Sequence, residues 1–257
     1  DRSPSRGLGD VYKRQVYSTW RAFHGQDFLA VVGGANYLSP FFSPVIYFHD
    51  LPTLTAELKS ALAAHAWLGI MPGWVPHWVS PSFFILWAPA GFRFTCYYYR
   101  GAYYKAFWAD PINCSVSEPR NGYRGEHKFP LIFQNIHRYF LYVAIGFLFF
   151  LSYDAYRAMW FTNEAGEATF GIGVGTIVLS LNVFFLSGYT LGCHSLRHLI
   201  GGFMNHFSKA PIRNKCYNCV SGLNKRHMLW AWCSLFWVGF TDVYVRFLAE
   251  HIDFRIL

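Results

Sequence analysis

From Pro81 onward, long apolar runs alternate with short polar stretches, whereas residues 16 to 80 mix aromatic side chains with frequent Pro and Gly. The first run, SFFILWAPAGFRFTCYYYRGAYYKAFW (Ser82 to Trp108), exceeds the ~20 residues that a membrane-crossing helix needs. Its second half turns amphipathic through Arg93, Arg100 and Lys105, so one face is expected to meet protein or headgroups rather than lipid tails. Further spans are predicted over about Phe129 to Tyr153, Phe170 to Leu199 and His227 to Ala249, and only the third has more than 20 residues clear of charge. SPFFSP (Ser39 to Pro44) and MPGWVPHW (Met71 to Trp78) break helices, so residues 16–80 read as an irregular surface or interfacial region with one short helix near Leu54 to Leu68. Residues 1–15, DRSPSRGLGDVYKRQ, are polar and lack the apolar core and cleavage site of a signal peptide. They are read as non-native or disordered and set outside the fold. The predicted class is all-α, a polytopic membrane bundle of about four helices over residues 81–257, and neither an internal repeat nor a low-complexity tract is evident.

Composition agrees with that pattern. Apolar residues make up 53% and aromatic residues 21%, while charged residues are 14% against roughly 25% in soluble domains. Mean hydropathy is only +0.18, which keeps a soluble, aromatic-rich enzyme as the alternative on composition alone. The net charge of +8 is distributed in loops between apolar runs, not clustered as on a nucleic-acid-binding surface. Lys209, Arg213, Lys215, Lys225 and Arg226 lie between the third and fourth runs, and Arg120, Arg124 and Lys128 between the first and second. The connection 154–169 instead carries Glu164 and Glu167 against Arg157. The positive-inside tendency therefore assigns the two basic loops to the cytoplasm, with the N-terminal region and the C-terminus facing outward.

On that topology the metal-capable side chains gather at one depth. Cys96 falls in the inner leaflet, His137 and Arg138 at the mouth of the second span, Cys193, His194 and His198 at that of the third, His227 at that of the fourth, and Cys114 in the first basic loop. Intramembrane His marks a cofactor, proton path or substrate route more often than a spectator. His194 and His198 are four apart, so they share a helix face and suit one metal or two neighbouring groups. Imidazole with thiolate is the donor set of a Rieske-type [2Fe-2S] centre, whereas two imidazoles on facing helices suit a b-type haem. Taken singly, a His at a helix end is a headgroup or backbone partner and a buried Cys a small hydrophobe; convergence is what raises the functional reading. Cys216 and Cys219 form one CxxC with no second pair and are read as part of a solvent-facing loop, and Cys233 as packing.

FRFTCYYYRGAYYKAFWADP (Phe92 to Pro111), NCSVSEP (Asn113 to Pro119), FPLIFQNIHRYF (Phe129 to Phe140), GCHSLRHLIGG (Gly192 to Gly202) and LNKRHMLWAW (Leu223 to Trp232) occur in that order. Together they resemble the membrane-anchor, cytochrome b-type subunit of succinate dehydrogenase or fumarate reductase, respiratory complex II, in the mycobacterial type with a single large anchor. The resemblance covers roughly residues 80 to 250, and NYLSPFFSP (Asn36 to Pro44) extends it. It implies a multi-pass protein of the bacterial cell membrane that holds a flavoprotein and an iron-sulfur subunit on the cytoplasmic face. It also implies an anchor-bound Rieske-type cluster in place of haem b, with two Cys and two His as ligands. The preferred set is Cys96, Cys193, His137 and His198, with Cys114, His194 and His227 in reserve. The CxH and CxxH boxes of soluble Rieske domains are absent, so the cluster type rests on the resemblance.

The expected function is electron relay to a quinone, menaquinone or ubiquinone, with Tyr97, Tyr98, Arg100, Arg138, Ser195 and Arg197 as the hydrogen-bond donors nearest the ligand stratum. The chain catalyses nothing alone on this reading, since the succinate chemistry and its flavin belong to partners. A higher oligomer of the complex, a haem-b anchor of the same enzyme class, and a non-redox transporter or structural membrane protein stay open.

Overall fold

The computed structural model describes residues 4–23, 27–46, 56–76, 79–99, 103–108, 110, 125, 127–163, 165–203 and 205–250. Helix α1 spans Pro4–Phe23, with Pro at the first helical position, where its missing N–H costs no hydrogen bond. Residues 4–15, expected to lie outside the fold, are therefore helical, and Tyr12 packs edge-on against Phe107 at 6.0 Å.

The region read as irregular holds more order than its Pro and Gly content suggests. Strands β1 (Leu29–Val32) and β2 (Ala35–Leu38) pair antiparallel, with Leu29 opposite Leu38. Gly33 and Gly34 close the hairpin at φ +57° and +79°, the left-handed conformation that both central residues of this short turn require. Helix α2 (Ala56–Ala63) is the expected short helix.

The first apolar run forms α3 (Ser82–Thr95), a 3-10 turn at Tyr97–Tyr99 and α4 (Tyr104–Trp108) rather than one rod. At 14 residues α3 is ~21 Å long, short of the ~30 Å hydrocarbon layer. A 3-10 stretch, Leu131–Ile136, leads into α5 (His137–Arg157). Strands β3 (Trp160–Thr162) and β4 (Ala168–Phe170) form a second antiparallel hairpin in the following connection. The third run divides into α6 (Val174–Leu191) and α7 (His194–Gly201). The second basic loop contains α8 (Pro211–Asn224), and α9 spans His227–Glu250. Cys216 and Cys219, read as loop residues, are exposed on α8.

Leu131–Arg157, Val174–Leu191 and His227–Glu250 are long and apolar enough to cross a bilayer, and the chain is a helical membrane protein. Phe149 on α5, Phe184 on α6 and Phe240 and Phe247 on α9 project outward. Such apolar exposure is costly in water and suits lipid or an apolar partner.

The chain forms two compact units, one of residues 1–17, 87–145 and 188–231, the other of residues 18–86, 146–187 and 232–257. In the first, α7 and α8 are tied together by Arg197 Nε, which donates to Ser221 Oγ at 3.0 Å, and by Arg213, which donates to the carbonyls of Ile200 and Gly202 at the end of α7. In the second, the loop after β2 carries Ser39 and Ser43, whose hydroxyls donate to Asp242 on α9 and Asp154 on α5. Asp154 also takes His65 Nδ1 at 2.6 Å, and Asp242 takes Arg246 Nε at 3.1 Å. All six side chains are buried. Ala30, Ala35, Tyr37, Ala155, Ala158, Leu179 and Val245 form an apolar core in the same unit.

A buried ion pair is stabilising only when its remaining lone pairs are also satisfied, and the two serines supply that. Asp154→Ala removes the acceptor shared by Ser43 and His65 and is expected to destabilise the fold by about 3 kcal/mol. Thermal unfolding of the detergent-solubilised protein checks this as a fall in midpoint relative to a control substitution at exposed Tyr156.

Candidate functional site

Residues three and four apart share a helix face. At the end of α3 this aligns Phe92, Thr95 and Cys96, the last just past the final helical residue. At the end of α6 the same spacing relates Tyr189 to Cys193, which is the N-cap of α7. Two histidines meet these stretches from other helices: His137 is the first residue of α5 and His227 the first of α9.

The four elements cross over. His137 Nε2 lies 3.2 Å from Cys193 Sγ, and His227 Nε2 lies 3.7 Å from Cys96 Sγ. Phe92 stacks on His137 with centroids 4.6 Å apart and planes at 7°, while Tyr189 stacks on His227 at 5.0 Å and 22°. Each aromatic-x-x-x-Cys stretch thus gives its ring to one imidazole and its thiol to the other. Phe92 and Tyr189 also meet each other edge-on at 5.3 Å. Cys96, His137, Cys193 and His227 are all buried, none more than 8% exposed.

Thr95 and Arg93 frame the pairs. Thr95 Oγ1 lies 2.8 Å from His137 Nδ1. Arg93 Nη1 donates to Tyr99 Oη at 2.7 Å and to Ala231 O at 3.2 Å, and its guanidinium lies over the Tyr189 ring at 4.7 Å. The cation is therefore held between α3 and α9 with its flat face on the ring that stacks on His227. The sequence reading gave neither residue a place at the site, and Arg93 was legible only as a charge in an apolar run.

Of the expected ligands, Cys96, Cys193 and His137 come together with His227, which had been a reserve. His198 stands elsewhere: its Nε2 is 3.0 Å from His194 Nε2, and both rings are exposed on α7. The cause is the break at Gly192, which ends α6 and starts a new helix, so that Cys193 turns inward while His194 and His198 turn out. Burial first, then the charges of His198 and Arg197, push the His194 pKa down. Cys114 and Arg100 lie outside the described residues. Among the expected quinone contacts, Tyr97, Tyr98 and Arg138 are exposed and Ser195 is half-buried. Tyr98 is 5.1 Å from the His227 ring, whereas Arg197 is engaged with Ser221 and stacks on Tyr217 at 5.1 Å.

Among the described residues no three His, Cys, Asp or Glu groups are placed to hold a single metal ion. Each Cys–His pair would instead offer a metal two protein donors, one thiol and one imidazole. For metal–sulfur and metal–nitrogen bonds of about 2.3 and 2.1 Å, two donors on one tetrahedral metal stand ~3.6 Å apart. The observed 3.2 and 3.7 Å bracket that value.

The helices define a polytopic membrane protein that carries a buried set of two thiols and two imidazoles at its helix ends. The model of the family described as actinobacterial succinate dehydrogenase subunit SdhC matches residues 9–251, and the chain belongs to that family. It is a membrane-anchor subunit of succinate dehydrogenase. Among solved structures it is similar to a chain of the Mycobacterium smegmatis Sdh1 complex in the apo form, at 38% identity and a TM-score of 0.80, over 97% of this chain and 89% of that one. No curated protein matches.

Burial separates the cysteines into two classes. A water-soluble maleimide is expected to label Cys216 and Cys219 in the folded, detergent-solubilised chain and to reach Cys96 and Cys193 only after denaturation, as read by peptide mass spectrometry.

Proposed function

We propose that this anchor conducts electrons from the iron-sulfur subunit of its complex to quinone, and that Cys96, Cys193, His137 and His227 hold a [2Fe-2S] cluster on that route. The observation that carries the reading is the crossed pairing, with each imidazole presenting Nε2 to a thiol at a separation two ligands of one iron require. The donor set has the Rieske composition of two Cys and two His, and each crossed pair would contribute one thiol and one imidazole to the cluster. A haem between facing imidazoles needs Nε2 of both rings turned towards an intervening macrocycle, and here both are turned towards sulfur.

Bound there, the group supplies one-electron transfer at a potential above that of an all-Cys cluster. The chain's part is to bind and insulate. Thiols bind iron as thiolates, and Cys193 stands at the N-cap of α7, where a helix N-terminus favours negative charge. Arg93, three residues before Cys96, adds a fixed cation. Phe92 and Tyr189 cover the imidazole faces and keep water from them.

Tyr98, exposed beside His227, is the phenol best placed to donate to a quinone carbonyl, with Tyr97, Arg138 and Ser195 further donors in the same unit. The basic residues of the stretch around α8 belong to that unit too, so the positive-inside tendency turns it to the cytoplasm, where a flavoprotein and an iron-sulfur subunit would dock. Likeness to a chain of the Sdh1 complex supports these partners.

Two single substitutions in the intact complex test the ligand set. His227→Ala is expected to lower succinate:quinone activity by more than the ~10–100-fold that loss of an outer-shell partner costs, while reduction of a soluble artificial acceptor by succinate persists. His198→Ala is expected to leave both near wild type. Quinone reduction retained by His227→Ala refutes the assignment.

A further inference from the structure

The hydrogen bond between Thr95 and His137 can be given a direction. Thr95 is 2% exposed, and its Oγ1 lies 2.7 Å from the carbonyl of Gly91, one helical turn back, as well as 2.8 Å from His137 Nδ1. A hydroxyl has one proton, and a carbonyl can only accept. The Thr95 proton therefore goes to Gly91 O, the back-bond that Thr commonly forms inside a helix, with Phe92 O at 3.4 Å as its weaker neighbour. Towards His137 the oxygen then offers only lone pairs, so Nδ1 must be the protonated nitrogen. A neutral imidazole has a single N–H, which leaves Nε2 with its lone pair exposed, 3.2 Å from Cys193 Sγ.

The ring is also held in plane. Phe92, three residues before Thr95 on the same face, stacks flat on it, and turning the ring over would replace Nδ1 by carbon and break the bond to Thr95. His227 differs: no hydroxyl stands at its buried Nδ1, so the two imidazoles are not equivalent.

We propose that Thr95 is a positioning residue: by accepting the Nδ1 proton of His137 it selects the tautomer that presents Nε2 as a metal-binding atom. This rests on His137 being a cluster ligand. The test compares Thr95→Val and Thr95→Ser in the purified complex, reading iron and acid-labile sulfide per anchor chain, retention against a chelator, and the EPR and electron spin-echo spectra of the reduced protein. Valine is close to isosteric but cannot accept. The expected result is ~10-fold weaker retention together with shifted g-values and an altered coupling from one histidine nitrogen, whereas serine restores wild-type values. A buried hydrogen bond lost away from the ligands does not move g-values, so the spectra separate positioning from a structural role. If the valine complex fails to assemble, Thr95→Ala, which leaves room for a water, takes its place with the same readouts. Full iron content and unchanged spectra in either variant overturn the role of Thr95. Absence of anchor-bound iron in the wild-type complex overturns the underlying ligand assignment instead.

Discussion

An imidazole buried in an apolar helix bundle has two nitrogens to satisfy and no bulk water to do it, and at His137 and His227 that constraint organises the surrounding chain. Each ring needs a partner at Nε2, cover on its faces and a fixed orientation, and each need is met by a different element. The end of α3, the break after α6 and the starts of α5 and α9 have to coincide for this to happen. An unsatisfied buried polar group costs about 1–3 kcal/mol in a protein and more where lipid replaces water, so the coincidence is a condition of stability before it is one of function. The proposed cluster would exploit it, since groups that satisfy an imidazole and a thiol are the groups that bind iron.

The other unit answers the same constraint with charge. Asp154 and Asp242 sit within helices long and apolar enough to cross the membrane, yet each meets a cationic or imidazole partner and a serine from the loop after β2. Paired in this way the carboxylates join the N-terminal region to α5 and α9 through buried polar contacts. The outward aromatic residues on α5, α6 and α9 need no such partners, because lipid is their solvent.

Much of this was legible in the chain. The starts of α5 and α9 lie close to where charge and turn residues give way to apolar sequence, and the convergence of His and Cys at helix ends follows from counting residues along each run. The ligand partner was harder. The third run reads as continuous through Leu199, and a continuous helix gives Cys193, His194 and His198 similar depth, so depth does not choose among them. Depth is one coordinate and says nothing about which way a side chain faces once Gly192 ends the helix. The better signal was local: Phe92-x-x-x-Cys96 and Tyr189-x-x-x-Cys193 are the same device twice, each followed by a His that opens the next long helix. Gly33-Gly34 between two short apolar stretches was likewise a hairpin signal, masked by the surrounding Pro and aromatic residues. Pairings such as Ser39 with Asp242 join distant parts of the chain and carry no periodic signature.

Electron spin-echo spectroscopy of the reduced wild-type complex, combined with iron and acid-labile sulfide analysis, addresses the central claim most directly. The crossed Cys–His site predicts one [2Fe-2S] signal, additional to those of the iron-sulfur subunit, with couplings from two histidine nitrogens, one of which disappears on replacement of His227 and neither on replacement of His198. The visible bands of a reduced b-type haem, or an anchor signal without nitrogen coupling, would contradict it.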